Sequence, residues 1–374
     1  MFESSLKLGS IFGIRIMVHY TWLIVFALLS SSLYSVFVEQ HPDWGQSVSM
    51  VTAVMTSLLF FVSIVLHELG HSIVALSRGI RVRSIVLFIF GGMAQTEKEA
   101  DSPSAEFWIA IAGPLVSVML AILFYGLAEA FEAVSQPIAA AFDWLSSINF
   151  LVAVFNLIPG FPLDGGRVFR ALVWGVSGDT TKGMRWAVAS GKIVAFGLMV
   201  LGMLVVLQTG QLITGIWMLG IGWFLLAAAE ASGQAFSINR LLSHMKVAEI
   251  MRHDIPYVEP QLSISTWLNE QVLPSGQRAY LVREGHQVIG LVTMSDCKKL
   301  PRERWSTTAV SEIMTPNKRL HTVTPETDLA VVLRNMSYQS INQVPVVERG
   351  NIIGWIDRDR ILKLLQSHYR DYLK

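Results

Sequence analysis

Ile64-Val65-Leu66-His67-Glu68-Leu69-Gly70-His71 ends an apolar run that covers about 48–76. Residues four apart on a helix lie on one face, so His67 and His71 can aim two imidazoles at one point with Glu68 beside them. A run of about 20 apolar residues is long enough to cross roughly 30 Å of hydrocarbon. Charged groups at that depth cost at least ~2.5–3.5 kcal/mol each and usually serve a function. Two imidazoles and a carboxylate placed together there need a common reason.

Working outward, five more apolar runs appear, at about 16–37, 106–128, 138–158, 186–208 and 211–235. The first has no small-residue cleavage site after it and is expected to be retained. Lys7 and Arg15 precede the first run, Arg78, Arg81, Arg83 and Lys98 follow the second, Arg167, Arg170, Lys182 and Arg185 follow the fourth, and Arg240 and Lys246 follow the sixth. The intervening connections near 38–47, 129–137 and 209–210 carry no Lys or Arg. The positive-inside rule then predicts a multi-pass protein of the cell (cytoplasmic) membrane with both termini in the cytoplasm.

The whole chain has 374 residues, 52% hydrophobic and 15% charged, with a mean hydropathy of +0.48. About a quarter of an ordinary soluble protein is charged, so neither a disordered chain nor a purely soluble one is indicated. Net charge is +1, which gives no bulk attraction to nucleic acid. A single cysteine, Cys297, excludes a disulfide scaffold. Residues 1–240 hold 26 charged side chains and residues 241–374 hold 31, so charge density roughly doubles at the join. The expected division is an α-helical membrane domain over 1–240 with about six transmembrane helices, and a soluble α/β domain over 241–374.

His67-Glu68-Leu69-Gly70-His71 has the H-E-x-x-H spacing of zinc hydrolases, two ligands and a general base. A catalytic zinc takes three protein ligands and keeps one position open. The third is sought in Asn156-Leu157-Ile158-Pro159-Gly160-Phe161-Pro162-Leu163-Asp164-Gly165-Gly166-Arg167, where prolines and glycines break the fourth run. Asp164 is its only carboxylate, either a ligand or the cap of a following helix. Asn156 is either a substrate or oxyanion contact or an interhelical hydrogen-bonding group. Ser84–Gln95, β-branched and aromatic, is too short to span as a helix and reads as strands or a hairpin dipping toward the site. Its edge could hold an unwound substrate by β-addition, and the alternative is a purely structural cover.

These two motifs, in this order and with Gly113-Pro114 in the third run, resemble the site-2 protease family of intramembrane zinc metalloproteases. The resemblance covers about 10–235. It implies one Zn2+ held by His67, His71 and Asp164, Glu68 as general base, Asn156 near the substrate, and a membrane-tethered protein cleaved within its transmembrane segment.

Val247-Ala248-Glu249-Ile250-Met251 recurs as Val310-Ser311-Glu312-Ile313-Met314, and Gly290–Asp296 is echoed by Gly354–Arg360. Two such repeats, about 244–305 and 307–368, resemble a tandem CBS pair. That resemblance implies an adenine nucleotide such as ATP or AMP, with Thr293 and Asp296 as contacts in repeat one. Repeat two departs, with Asp357 and Arg360 at the matching places, so at most one good site is expected. A pure dimerisation module, joining two copies of the chain, stays open as the alternative. The rival reading of the whole chain is a CBS-regulated transporter or channel, which leaves the H-E-x-x-H spacing unexplained.

Overall fold

A computed structural model describes residues 5–89, 91–285 and 287–372. It contains two compact units, Met1–Gln234 and Ala235–Lys374. The first unit begins with a hairpin of β1 (Ser5–Ile11) and β2 (Ile14–His19), followed by α1 (Trp22–Gln40) and α2 (Gly45–Ser77). Then come β3 (Val82–Phe88), β4 (Gly91–Thr96), α3 (Pro103–Phe131), α4 (Gln136–Asn156), α5 (Asp164–Ser177), α6 (Thr180–Thr209) and α7 (Leu212–Ser243). Among the described residues six helices, all of these but α5, are long and apolar enough to cross a membrane.

The first span starts later than its hydropathy suggests. Ile14, Ile16 and Val18 are buried, while Arg15 is exposed and Met17 half-buried. This alternation has period two and makes a strand, so residues 16–19 belong to β2 and the helix begins at Trp22. The expected strands at 84–95 form the antiparallel hairpin β3–β4. Phe90 lies outside the described residues. The hairpin is half of a four-stranded sheet in the order β1-β2-β3-β4, with β2 and β3 parallel.

Within β3, Ile85, Val86 and Leu87 are all buried, as in a strand covered on both faces. Ile14, Ile80, Val82 and Ile85 share one core cluster with Leu69 and Ala75 of α2 and Ile109 of α3. That cluster fixes the sheet to the histidine-bearing end of α2. Helices α2 and α3 approach closely because Gly70 has no side chain. A β-carbon there would stand 2.8 Å from Val116 Cγ2 and 3.1 Å from the Ala112 carbonyl oxygen. Small residues bring membrane helices together in this way.

The second unit has a sheet of β5 (Tyr257–Val258), β6 (Ala279–Glu284), β7 (Gln287–Thr293) and β8 (Thr315–Pro316), and a hairpin of β9 (Gln343–Glu348) and β10 (Asn351–Asp357). The repeats exchange their opening segments. Val247 and Ile250 pack in the core of Leu329, Val332, Val344 and Ile356, while Val310 packs with Val258, Trp267 and Val292. Main-chain bonds follow the exchange, from Val247 N to the Thr327 oxygen and from Val310 N to the Leu262 oxygen. Cys297 is buried, which pushes its thiol up to about 11.

Candidate metal centre

Helix α2 presents His67 and His71 one turn apart, both buried. Asp164 comes from the start of α5, where the glycine-rich turn delivers it. Gly165 and Gly166 lie so close to the backbone of 157–161 that a β-carbon on either would fall within 2.3 Å of a main-chain atom. Gly160 and Gly191 likewise bring this turn against α6, and Phe161 N donates to the Ala187 carbonyl oxygen at 3.1 Å. Asp164 is the first helical residue rather than the cap. Leu163 takes the cap position and no side chain caps the helix.

The three side chains meet. His67 Nε2 and His71 Nε2 are each 3.2 Å from Asp164 Oδ2 and 3.2 Å from each other. The far nitrogens are engaged on α3. His71 Nδ1 is 2.6 Å from the Ile109 carbonyl oxygen, and His67 Nδ1 is 2.8 Å from Ser117 Oγ. A carbonyl oxygen only accepts, so His71 carries a proton on Nδ1, and Nε2 is the nitrogen turned toward Asp164. Two imidazole Nε2 atoms and a carboxylate oxygen converging on one point are a donor set suited to a divalent cation. Ligand atoms about 2.0–2.1 Å from a tetrahedral zinc stand roughly 3.3 Å apart, so this triangle and its donor set fit the ion.

Glu68 and Gly92 of β4 are in close apposition. A β-carbon on Gly92 would stand 2.5 Å from Glu68 Cγ. Glu68, His71 and Asp164 line a cavity of about 410 Å³, which is also walled by β4, Phe161, Pro162 and Arg167. Asn156 is not among its lining residues. It is the half-buried last residue of α4, and the turn past Gly160 puts Phe161 and Pro162 at the wall instead. The asparagine that bonds between helices is Asn149, which donates to Ser63 Oγ at 3.4 Å and to the Leu145 carbonyl oxygen at 2.8 Å.

Peptidase family M50 matches residues 55–134 and 126–201, and the CBS domain matches 247–303 and 310–367. The Synechocystis sp. protein sll0528 is 32% identical over 98% of this chain and 96% of its own. Zinc metalloprotease MJ0392 of Methanocaldococcus jannaschii is 30% identical over 96% of each. The chain belongs to peptidase family M50. Among solved structures, the site-2 protease from M. jannaschii is 30% identical, covers 61% of this chain and 95% of its own, and superposes with a TM-score of 0.42. This M50 peptidase is a multi-pass membrane zinc metalloprotease of the site-2 type, with protein substrates and a C-terminal CBS pair. That membership decides against the transporter or channel reading.

In the CBS pair, Thr293 and Asp296 line a cavity of about 300 Å³ with Lys299, Arg319 and His321. Asp296 is already occupied. Its Oδ2 accepts from Thr293 N at 3.0 Å and Thr293 Oγ1 at 2.8 Å, and its Oδ1 accepts from Lys299 Nζ at 2.8 Å. The paired glycines of the two repeats have a packing reason. A β-carbon on Gly290 would stand 2.6 Å from the Thr315 oxygen, and one on Gly354 would stand 2.6 Å from the Arg252 oxygen. In repeat two, burial pushes the Asp357 carboxyl above its ordinary range against the pull of Arg252.

The sequence reading missed the roles of Ile109 and Ser117 and the reason for Gly113. A β-carbon on Gly113 would stand 2.2 Å from His71 Nε2 and 2.6 Å from His67 Nε2. The signal was present. Ile109, Gly113 and Ser117 recur every four residues along α3 and so form one face.

Proposed function

We propose that this M50 peptidase hydrolyses a peptide bond within a substrate's transmembrane segment, with His67, His71 and Asp164 as zinc ligands and Glu68 as general base. The observation that carries this reading is the ligand triangle formed by two separated stretches of chain, with Glu68 on the wall of the same cavity. Bound zinc supplies a Lewis acid for the scissile carbonyl and lowers the pKa of water to about 7. Glu68 takes the proton of the attacking water on a carboxylate oxygen and delivers it to the leaving amine nitrogen. Ser117 and the Ile109 carbonyl hold the imidazoles in the ligating orientation. Strand β4 forms an edge of its sheet beside Glu68 and offers main-chain groups to an unwound substrate.

The clean alternation of Lys and Arg between connections supports a place in the cell membrane with both termini cytoplasmic. The cationic lining near Thr293 and Asp296 supports one adenine nucleotide site, which would require displacing Asp296 from its internal bonds. A heat signal on titrating ATP or AMP into the full chain supports that site. No signal, with dimers in solution, favours the dimerisation module.

The test of the main reading compares purified wild type with Glu68→Gln for zinc content and for cleavage of transmembrane substrates. Near one zinc per chain in both, with kcat lower by about 10²–10⁴ in the variant, is expected. Retained cleavage in Glu68→Gln, or a wild type that takes up no zinc, overturns it.

A further inference from the structure

We propose that Glu106 is the positioning residue that sets Asp164 against the two histidines, an inference that rests on the zinc assignment above. Glu106 lies in the first turn of α3 and is 1% exposed. Its Oε1 accepts from Arg167 Nε at 3.1 Å and forms an ion pair with Arg170 Nη2 at 2.9 Å. Both arginines are on α5, three and six residues after Asp164, and Arg167 shares a face with Asp164. Glu106 itself stands three residues before Ile109, whose carbonyl oxygen holds His71. Farther along, α3 carries Gly113 and Ser117, which face the imidazoles. One carboxylate oxygen therefore joins the helix that brings the third ligand to the helix that aims the other two.

A buried ion pair is often no more stabilising than apolar packing of the same volume. The cluster is therefore better explained by direction than by stability. Guanidinium donors have a fixed planar fork, so two of them converging on one oxygen restrict both the rotation and the sliding of α5. Close glycine contacts hold the turn before Asp164 and also seat α5 on α6, where a β-carbon on Gly183 would stand 2.8 Å from the Arg170 carbonyl oxygen. Without the clamp, α5 keeps its backbone contact with α6 but loses its charged tie to α3, and a small shift of its first turn carries Asp164 Oδ2 off the triangle. The effect of Glu106 passes through Asp164 and Arg167.

The experiment uses the full chain in detergent. Zinc affinity is measured by chelator competition for wild type, Glu106→Gln, Glu106→Asp and Arg170→Lys, each checked for monodispersity and for the thermal midpoint of the metal-free protein. Glu106→Gln is expected to weaken zinc binding 10–100-fold, as loss of groups that orient ligands does. Its kcat should recover as free zinc is raised, with KM unchanged. Glu106→Asp, which keeps the charge, should regain part of the affinity, and Arg170→Lys should shift it in the same direction as Glu106→Gln. Affinities within about twofold of wild type in both Glu106→Gln and Arg170→Lys overturn the proposal, because ligand-orienting groups act at the larger scale. So does a loss that merely follows the unfolded fraction. A wild type that binds no zinc overturns the metal assignment itself, and this inference with it.

Discussion

Asp164 and Asp296 are both partly or wholly buried carboxylates at the starts of helices, yet their surroundings differ in kind. Asp296 has its oxygens taken up by Thr293 and Lys299, all within a few residues of it. Asp164 faces two histidine nitrogens from α2, and those rings are engaged on their far sides by α3. The first arrangement is complete without a ligand. The second gathers three potential ligand atoms at the spacing that a cation between them would need. A metal centre of this kind depends on groups beyond the ligands, whereas any ligand at the CBS cavity competes with bonds already made.

The sharpest way to break this contrast is Gly113→Ala. The added methyl group would fall 2.2 Å from His71 Nε2, so zinc retention and cleavage should both be lost while the CBS pair is untouched. Normal zinc content in that variant, by elemental analysis, would show that the imidazoles sit elsewhere. Ser117→Ala comes next. It frees His67 Nδ1 and should weaken zinc binding by about 10–100-fold, read by chelator competition.

A smaller effect is expected on the sheet edge. The free ladder belongs to β4, since Phe88 closes the inner strand β3. Adjacent residues of a strand point their main-chain groups to opposite sides, so one of Met93→Pro and Ala94→Pro blocks the outer side. That variant should cut cleavage several-fold with zinc content unchanged. Full activity in both would leave the edge as a structural cover. The smallest effect is at Asp296→Ala, where loss of the capping interaction should lower the stability of the CBS pair by about 1 kcal/mol by denaturant unfolding. No change in zinc or basal cleavage is expected there.

Much of this was legible along the chain because it depends on local spacing. The H-E-x-x-H turn, the six apolar runs and the repeated Val-x-Glu-Ile-Met segment each state their meaning within a few residues. The N-terminal strands were harder. Ile14–His19 is apolar enough to extend the first span, and its alternating burial and its pairing with β1 and β3 show that it is a strand. Asn156 is a different case. It lies in the right motif, but the turn that follows carries the chain to Phe161 and Pro162 before the cavity wall is reached.

Read alone, the amino-acid order determined the membrane domain with its C-terminal CBS pair, the H-E-x-x-H spacing and the duplicated module. Periodicity, charge placement and motif spacing are properties of neighbouring residues, and they survive without a fold. Only the tertiary structure brought Asp164 across 93 residues to His71 and assigned Ile109 and Ser117 to the ring nitrogens. It also gave Gly113, Gly290 and Gly354 their packing reasons. Contacts between distant segments are decided by how helices and strands pack; spacing can place Ile109, Gly113 and Ser117 on one face of α3, but it does not name the histidines as their partners.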